Sequence, residues 1–315
     1  MMYKKYYQIF IFIIVLFCFD RVVGGLLEYG FYKQPTGPNY QIIQSITTNR
    51  SDIVVLGSSR AQHHYNPEIF TKKIGLSFTN SGVNGGYGIY LPAFQIEQMT
   101  NNYFPKVIFV EINPNALGYW KGNYDRLSVL MPFVDRYPDV FNYLVLKDDF
   151  LKLKLLSKSY RYNSLIYNEL IYNLLSNKFK HVKSFIPIKK SLSPLDSVAN
   201  VDGIKNYNTN ATDLNMQIIF EKLIKVIQNK NIKLIFVNSP IYNNKAVNYY
   251  SFAGKKAIQT MNDNNIRFWD YSNDSTFLNK YYLFGDRLHL NQKGADIFSN
   301  ILAERLVSEG IIKNN

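Results

Sequence analysis

The sequence predicts an α/β fold in which helices surround a mostly parallel β-sheet. Five short β-rich runs punctuate the chain, and the central ones are apolar throughout, which is typical of strands buried on both faces. Stretches with apolar residues at helical spacing lie between these runs, and this alternation favours an α/β sandwich. A long apolar segment precedes all of them at the N-terminus.

The N-terminal segment, residues 1–32, is predicted to be a membrane anchor. Two lysines, Lys4 and Lys5, precede an apolar run that ends at Asp20 and Arg21. The run is short against the roughly 20 residues that span a bilayer. The two charged residues that end it must therefore pair, snorkel or lie at the membrane interface.

The anchor is expected to remain attached to the rest of the chain. Gly24 and Gly25 are the only small residues at the place where a signal peptide would be cleaved. Positive charges before the apolar run keep that end in the cytoplasm. The sequence therefore predicts a single-pass membrane protein whose main domain lies on the extracytoplasmic side, the alternative being an apolar core helix of a soluble protein.

Composition and charge narrow the range of partners. The 315 residues include 36 Lys and Arg against 23 Asp and Glu, a net charge of +13. Nucleic acid is not expected as a partner, because no base-reading motif and no basic block interleaved with stacking aromatics is present. Basic residues beside a membrane segment suit anionic lipid or acidic glycan better. The single cysteine, Cys18, excludes intrachain disulfides and Cys-ligated zinc, and no cofactor is predicted.

The predicted strands and helices follow one another in a regular order. Strands are expected at 52–57, 76–80, 106–112, 232–238 and 266–271. Helices are expected at 66–74, 87–103, 213–230, 247–264 and 291–308. Apolar residues of the last helix recur at helical spacing, as Ile297, Ile301, Leu302 and Leu306 do.

Two segments fall outside this alternation. Residues 33–50 are polar and are predicted to link the anchor to an α/β domain at 51–315. Residues at about 117–212 separate the third and fourth strands by far more chain than one crossover helix needs. They are predicted to form a helical insertion that serves as a lid or as a platform for a glycan, a lipid or a membrane partner. Extra helices that cover a sheet face are the alternative.

Candidate reactive residues lie in four motifs at or near strand ends. The motifs are "VVLGSSR", "TNSGVNGG", "VEINPN" and "DRLHLN", and the last places Asp286 three residues before His289. Reactive groups collect at the carboxyl ends of strands in an open parallel sheet. Each of the first three motifs alone is more typical of a turn or a helix cap. Together they offer a serine nucleophile, amide donors and an acid beside an imidazole.

The four motifs resemble the sequence blocks of the SGNH/GDSL hydrolase superfamily, over roughly residues 50–310 without the insertion. The resemblance implies a three-layer α/β sandwich with a five-stranded sheet. By position it implies that Ser59 is the nucleophile and that Asp286 and His289 complete a catalytic triad. Ser58 stands where the superfamily usually has an aspartate.

The resemblance also implies which groups stabilise the oxyanion of the reaction. The donors by position are the Ser59 N–H, Gly85 and Asn115. Two of them have competitors nearby in the sequence. Gly82 competes with Gly85, and Asn113 competes with Asn115, because "NPN" replaces the usual Gly-Asn or Gly-x-Asn pattern.

The Gly-Ser-Ser-Arg form and the single anchor look more like membrane-tethered members associated with acyl transfer to surface polymers than like secreted lipases. We therefore expect a serine O-acyltransferase or esterase that acts on O-acyl groups, acetyl above all, of an extracytoplasmic polysaccharide. A membrane protein that delivers the acyl group is an expected partner. The alternative is a non-catalytic scaffold component of a surface-polymer assembly or modification complex.

Other residues have two interpretations each. His63 and His64 line the site or bind a metal, or are exposed residues at the start of a helix, which the sequence favours. Arg60 steers an anionic substrate or, as we prefer, pairs with a carboxylate. The "VNSPIY" stretch at 237–242 shapes an acyl pocket or simply ends a strand. Several tyrosines of the insertion suit sugar stacking, core packing or a membrane-facing surface, namely Tyr160, Tyr162, Tyr167 and Tyr172.

Overall fold

The computed structural model describes residues 2–85, 88–148, 150–162, 171, 185–194, 211–242 and 250–313. The chain divides into two compact units. The N-terminal unit consists of Met1–Ile43 and Tyr124–Val182, and the sheet unit consists of Gln44–Asn123 and Lys183–Asn315.

The sheet unit contains a five-stranded sheet in which every pairing is parallel, with the strand order β2-β1-β3-β4-β5. Gly57 at the end of β1 lies opposite Glu111 at the end of β3, which in turn lies opposite Val237 of β4. The loops that follow these strands therefore leave the same edge of the sheet. The α/β class and all five predicted strand positions are confirmed, with strands at β1 Ile53–Gly57, β2 Phe78–Asn80, β3 Val107–Glu111, β4 Lys233–Asn238 and β5 Arg267–Asp270.

Helices of the described residues precede and connect the strands. In chain order they are α1 Met2–Tyr32, α2 Pro38–Thr47, α3 Ser59–His64, α4 Pro67–Ile74, α5 Tyr90–Met99, α6 Lys121–Asp125, α7 Phe141–Leu144, α8 Leu151–Lys154, α9 Leu214–Gln228, α10 Phe252–Asp263 and α11 Gln292–Ser308. Short 3₁₀ segments add Pro114–Leu117, Arg126–Phe133, Pro138–Val140, Ser159–Tyr162 and Tyr281–Leu283. The five helices predicted for the α/β domain, α4, α5, α9, α10 and α11, all lie within their predicted ranges.

Both faces of the sheet are covered by helices. Val55 of β1 and Phe109 of β3 belong to one core together with Phe298 of α11. Phe236 of β4 points to the opposite face, where its ring lies 5.2 Å from that of Phe220 of α9. Strands buried on both faces account for the continuous apolar runs in the sequence.

Polar residues fix where the helices begin. The residue before each of four helices accepts a hydrogen bond from a backbone N–H of the first turn, and such N-caps satisfy donors that the helix itself leaves unpaired. They are Asn66 before α4, Asp213 before α9, Ser251 before α10 and Asn291 before α11.

Within the predicted linker, residues 38–47 form helix α2. Ile42 and Ile46 are buried, at 0% and 1% exposure. The polar residues around these two isoleucines make the stretch look like a linker in the sequence. Their spacing of four residues places both on one face of a helix.

In the N-terminal unit, α1 is long and apolar enough to cross a membrane, with a mean hydropathy of 2.4 over its most apolar window. Its side chains are exposed from Tyr3 to Phe19 and partly covered from Asp20 onward. The cover comes from the insertion, since the Phe31 ring packs against Phe133 and Tyr162 at 5.4 and 5.8 Å between ring centroids. The predicted N-terminal apolar helix is thus present.

The described part of the insertion that belongs to the N-terminal unit consists of short helices and 3₁₀ turns. Pro132 lies inside one 3₁₀ segment and Pro138 begins the next. Proline removes a backbone donor and interrupts an α-helix. The described residues of the predicted helical insertion in this unit therefore form only short segments, and Tyr167 and Tyr172 lie outside the described residues.

Candidate active site

A sharp turn after β1 presents Ser59. Gly57 ends the strand at φ 142°, a backbone conformation that side chains rarely adopt. A Cβ atom there would lie 2.7 Å from the carbonyl oxygen of Glu111. Ser58 is the N-cap of α3 and Ser59 is its first residue. The short run of glycine and serine thus allows the chain to turn tightly against the next strand and places the Ser59 N–H at a helix start.

Ser59, His289 and Asp286 form a continuous chain of hydrogen bonds. The distance between Ser59 Oγ and His289 Nε2 is 2.8 Å. His289 Nδ1 lies 2.9 and 3.0 Å from the two carboxylate oxygens of Asp286. Because a carboxylate only accepts, Nδ1 carries the proton and Nε2 is left to accept from the serine hydroxyl. The three residues that the sequence pairs as a triad are therefore brought together in the required order.

The spacing of three residues between Asp286 and His289 follows from a local turn. Asp286 Oδ1 accepts hydrogen bonds from the backbone N–H groups of Leu288 and His289, at 2.8 and 3.0 Å. The same carboxylate also faces the imidazole. An aspartate that closes a turn onto its own backbone is held in one orientation, so this short segment positions both members of the pair.

The electrostatics of Asp286 favour a charged carboxylate. Burial alone would raise its pKa, but the hydrogen bonds from the His289 ring and from the Leu288 and His289 N–H groups outweigh burial and lower the pKa. Its side chain is 47% exposed, whereas that of His289 is 16% exposed. Asp286 is therefore ionised at neutral pH and can stabilise a positive imidazole.

His64 holds the backbone of residues 284–292, the loop that carries Asp286 and His289, which we call the triad loop. The residue is fully buried, and its Nε2 accepts the backbone N–H of Leu290 at 3.0 Å. Its Nδ1 therefore donates to Ser239 Oγ, at 2.7 Å. Burial lowers the pKa of His64 well below its usual value, so it is a neutral structural residue. The prediction that His64 is exposed is wrong, because α3 turns this side chain toward the core.

His63 lies beside the imidazole of His289. Its ring packs edge to face against the ring of His289, with 5.1 Å between centroids. Nδ1 of His63 donates to the carbonyl oxygen of Ile186 at 2.6 Å, and burial lowers the pKa of His63. His63 is half-buried rather than exposed, and it lines the site. The described residues contain no cluster of three or more His, Cys, Asp or Glu that could hold a metal ion.

Arg60, the residue after Ser59, forms a buried ion pair with Glu111. Arg60 Nη2 is 3.1 Å from Glu111 Oε1, which confirms that Arg60 pairs with a carboxylate. Glu111 also accepts from the Tyr65 hydroxyl and from the Ser239 N–H. Arg60 Nη1 donates to the side chain of Asn238 and to the carbonyl of Ser239, at 3.1 and 3.2 Å. We call this set of residues the Glu111 network.

Sequence reasoning singled out Arg60 and the stretches that contain Glu111, Asn238 and Ser239, but it did not join them into a network. Glu111 and Asn238 end β3 and β4, and Ser239 follows β4. Polar residues at the ends of two apolar strands are the signal that would have joined them. Parallel pairing then aligns the two strand ends beside Arg60.

The two glycines proposed as oxyanion donors have different surroundings. The Gly82 N–H donates to Asn80 Oδ1 at 3.0 Å. A Cβ atom on Gly82 would lie 2.5 Å from the backbone nitrogen of Gln62 in α3. Gly82 therefore serves close packing against α3, and its N–H is already engaged. Gly85, three residues later in the same loop, is the remaining candidate of the pair, with its backbone at φ 136°.

The two asparagines that follow β3 also have separate roles. Asn113 Oδ1 accepts the N–H of Asn115 at 3.0 Å and caps a 3₁₀ turn. Asn115 Oδ1 accepts the N–H and the hydroxyl of Ser251, at 2.9 and 3.1 Å. Since a backbone N–H can only donate, the carboxamide orientation of each asparagine is defined. Asn113 is half-buried and Asn115 is 8% exposed.

Residues 185–192 belong to the site although the sequence assigned them to the insertion. Besides the Ile186 carbonyl that holds His63, the Leu192 N–H donates to Phe284 O at 2.6 Å, and the Gln292 N–H donates to Ile188 O at 2.8 Å. These bonds brace both ends of the triad loop. Extended backbone pairing of this kind leaves no hydrophobic periodicity, which explains why the sequence did not reveal it.

The remaining residues singled out in the sequence differ in how far they are buried. Tyr242, the last residue of "VNSPIY", is 5% exposed, and its N–H donates to the carbonyl of Arg287 in the triad loop. Tyr162 is buried at 2%, so its ring is not open to a sugar. Tyr160 is half-buried.

Two comparisons with known proteins add no relative. No family model matches the chain, and no curated protein matches it either. The hydrogen bonds that join Ser59, His289 and Asp286 are therefore the observation on which a functional proposal depends.

Proposed function

We propose that this chain is a membrane-anchored, SGNH-type serine O-acyltransferase or esterase with a three-layer α/β core. One observation carries the proposal, the hydrogen-bonded series from Ser59 Oγ through His289 to Asp286, with 2.8 Å at the serine. A serine hydroxyl is a weak nucleophile until a neutral imidazole takes its proton. This arrangement supplies that base together with the carboxylate that orients it.

The reaction follows from the roles of these groups. Ser59 Oγ attacks the acyl carbon of an ester while its proton passes to His289 Nε2, and Asp286 stabilises the resulting imidazolium. The tetrahedral intermediate collapses, the alcohol leaves with the proton from His289, and the acyl group stays on Ser59. The same histidine then takes a proton from water or from a sugar hydroxyl, which attacks the acyl-enzyme and releases Ser59.

Donors at the carboxyl edge of the sheet support stabilisation of the oxyanion. The Ser59 N–H lies at a helix start, where backbone donors have no partner within the helix. Gly85 and Asn115 follow the two strands that flank β1. Donors fixed before the reaction stabilise the negative charge that appears on the acyl oxygen.

The substrate class rests on the location of the chain and on its charge. Helix α1 is apolar and exposed over its first half, and the lysines at its start favour the extracytoplasmic side for the domain after it. A net charge of +13 suits an acidic surface polymer. We propose O-acyl groups of a cell-surface polysaccharide as the substrate, with acetyl as the first to test and a membrane acyl-delivery protein as a partner.

The proposal is tested by covalent labelling of the purified full chain in detergent. The protein is incubated with an activated acetyl ester, and the acylated peptide is identified by mass spectrometry. Ser59→Ala is expected to abolish the adduct, and Ser58→Ala, the adjacent serine, is expected to retain it. An adduct on Ser58 would reassign the nucleophile, and a folded protein that forms no adduct with any ester would favour the scaffold function.

Partition of the acyl-enzyme tests transferase against esterase. We expect a glycan acceptor to compete with water, because an oriented acceptor gains effective molarities of about 10⁵–10⁸ M. The full chain is compared with a chain in which residues 124–182 are replaced by a Gly/Ser linker; residues 185–192 are kept because they brace the triad loop. Release of acetate alone by the full chain supports an esterase. If the shortened chain folds and gives the same ratio of transfer to hydrolysis, the insertion does not determine which acceptor is used.

Orientation is tested separately. A reporter fused after the last residue is expected to be active only outside the cytoplasm. Activity confined to the cytoplasm would refute the extracytoplasmic assignment and with it the surface polymer as substrate.

A further inference from the structure

Part of the insertion is fastened to α1 at the point where the exposed apolar stretch of that helix ends. The Asp20 carboxylate accepts the backbone N–H groups of Lys158 and Ser159 at 2.7 and 3.1 Å. Arg21 donates from Nη2 to the carbonyl oxygen of Leu156 at 2.5 Å. The two charged residues that interrupt the apolar run are thus used to hold a neighbouring loop of the same unit.

The segment just before this loop, residues 150–156, has two apolar faces. Leu151 and Leu155 face the interior of the unit, with 0% and 6% exposure. Phe150, Leu153 and Leu156 face outward, with 67%, 65% and 66% exposure. A segment on the surface of a soluble protein has one apolar face and one polar face. Three large apolar side chains on the outer face at a spacing of three residues therefore require a partner.

The position along α1 indicates which partner covers that face. The fully exposed part of α1, Tyr3 to Phe19, is roughly 25 Å long at about 1.5 Å per residue. The hydrocarbon core of a bilayer is about 30 Å thick. A bilayer around α1 therefore reaches at least to Asp20 and Arg21, where the 150–156 segment is attached. Leu26, at 68% exposure, extends the apolar strip of α1 beyond that level.

The charged residues near this outer face favour insertion of its apolar side chains into lipid over electrostatic adsorption to the lipid surface. Lys154 is paired with Asp148, and Lys158 with Glu28. Lys152 lies over the ring of Phe141, 5.8 Å from its centroid. Because most of these lysines already have partners within the unit, the outer face is primarily apolar.

We propose that the 150–156 segment is a second membrane contact, which places Phe150, Leu153 and Leu156 in the bilayer interface beside α1. This inference rests on the membrane insertion of α1 that the proposed function includes. The occupant of the surface is lipid, because the segment is continuous with the apolar helix and is fastened at the level where the membrane ends. Two contacts fix the orientation of the N-terminal unit on the membrane, which a single helix leaves free.

The test measures the depth of single labelled positions in the full chain, reconstituted in phosphatidylcholine vesicles. An environment-sensitive fluorophore is attached to the native Cys18, or to Leu153→Cys or Leu214→Cys in a Cys18→Ser background. Leu214 is the matched control, a leucine of the sheet unit with 67% exposure. Lipids with a spin label near the headgroup end of the acyl chain quench fluorophores in the interface. We expect strong quenching at Cys18 and Leu153 and none at Leu214.

The other results separate this inference from the anchor. Quenching at Cys18 without quenching at Leu153 overturns the second contact and leaves the anchor intact. No quenching at Cys18 overturns both. Equal quenching at Leu153 and Leu214 would show that lipid contacts both units alike, and it overturns the assignment. A disulfide between two copies of Leu153→Cys, without quenching at that position, assigns the surface to a second copy of the chain. Phe150→Cys repeats the measurement on the same face.

The lipid charge is varied last. We expect the same quenching at Leu153 in vesicles with and without anionic lipid, and at low and high salt, because apolar insertion does not depend on screening. Quenching that appears only with anionic lipid and disappears at high salt would replace apolar insertion by charge adsorption and overturn the proposal.

Discussion

Two carboxylates at the carboxyl edge of the sheet each hold a basic side chain, but one is exposed to solvent and the other is buried. Asp286 holds the ring of His289 on an exposed turn, and nearly half of its side chain is in contact with solvent. Glu111 holds Arg60 beneath the same serine, and its side chain is fully buried. The first carboxylate lies where the proposed reaction would change the charge of its partner, and the second holds a charge that the fold encloses.

The difference lies in how each carboxylate is compensated. Asp286 has hydrogen bonds from its own turn and from one imidazole, so losing it leaves the fold intact. Glu111 neutralises a guanidinium and also holds a tyrosine hydroxyl and a strand-end N–H, so losing it leaves buried groups without partners. Activity should therefore depend on the first region and stability on the second.

The largest effect is expected for Asp286→Asn. The carboxamide no longer stabilises the imidazolium and no longer fixes the proton on Nδ1, and loss of this function in a triad lowers kcat by about 10⁴-fold. The melting temperature should change little. Steady-state kinetics with an acetyl ester and a thermal melt check this.

Asp274→Asn is the matched control, because Asp274 closes a similar turn onto the Thr276 N–H outside the site. Its kcat should equal that of the wild type. If Asp286→Asn keeps full activity, the triad assignment is wrong.

The next effect is on stability, in Glu111→Gln. Removing the charge that neutralises a buried arginine costs about 3–5 kcal/mol of unfolding free energy. Chemical denaturation of the detergent-solubilised chain measures it. Glu304→Gln breaks the exposed pair with Lys73 and should cost no more than about 1 kcal/mol.

A Glu111→Gln protein as stable as Glu304→Gln would show that Arg60 has solvent or another partner. In that case the buried network is not a support for Ser59, and the contrast between the two carboxylates disappears.

A third prediction concerns the oxyanion donors. In Asn115→Asp the retained oxygen still accepts from Ser251 while the NH₂ donor is lost, so kcat should fall by about 10²–10³-fold with little change in KM. Asn113→Asp likewise keeps its cap on the Asn115 N–H and should keep near wild-type kcat. The reverse pattern would move the donor role to Asn113.

The smallest effect is a dependence of stability on pH caused by His64. Its pKa is lowered first by burial and then by electrostatic interaction with the neighbouring side chains of His289, Arg60 and His63. The folded state therefore keeps His64 neutral while the unfolded chain binds a proton below pH about 6.5. Stability should fall as the pH drops below that value, by up to about 1.4 kcal/mol per pH unit.

His64→Gln should lose the part of this dependence that His64 causes, so the difference in unfolding free energy between pH 7.5 and pH 5.5 should shrink relative to the wild type; the lowered pKa of His63 leaves a remaining dependence of the same sign. Asp286 does not interfere, because its lowered pKa affects stability only near and below its ordinary value of about 3.9. An unchanged difference in His64→Gln would show that His64 is not the titrating group.

The sequence alone determined the positions of the strands and the pairing of Asp286 with His289, because both leave local signals. Continuous apolar runs mark strands buried on both faces, and β1 to β5 lie where those runs are. The Asp-x-x-His spacing of Asp286 and His289 is a local turn. Such features depend on residues close in the chain, so reading the chain in order finds them.

Only the tertiary structure determined which polar residues far apart in the sequence are in contact. Glu111 meets Arg60, and His64 bridges Ser239 and Leu290, because parallel strands end at one edge and α3 turns beneath them. Residues 185–192 brace the triad loop through backbone hydrogen bonds, which carry no residue preference. The sequence predicts that Asp20 and Arg21 pair, snorkel or lie at the membrane interface; in the structure they lie 3.9 Å from each other and also hold the loop before Ser159. In each case the partner is distant in sequence, so the residue type alone does not show whether a polar side chain faces solvent or makes a buried structural contact.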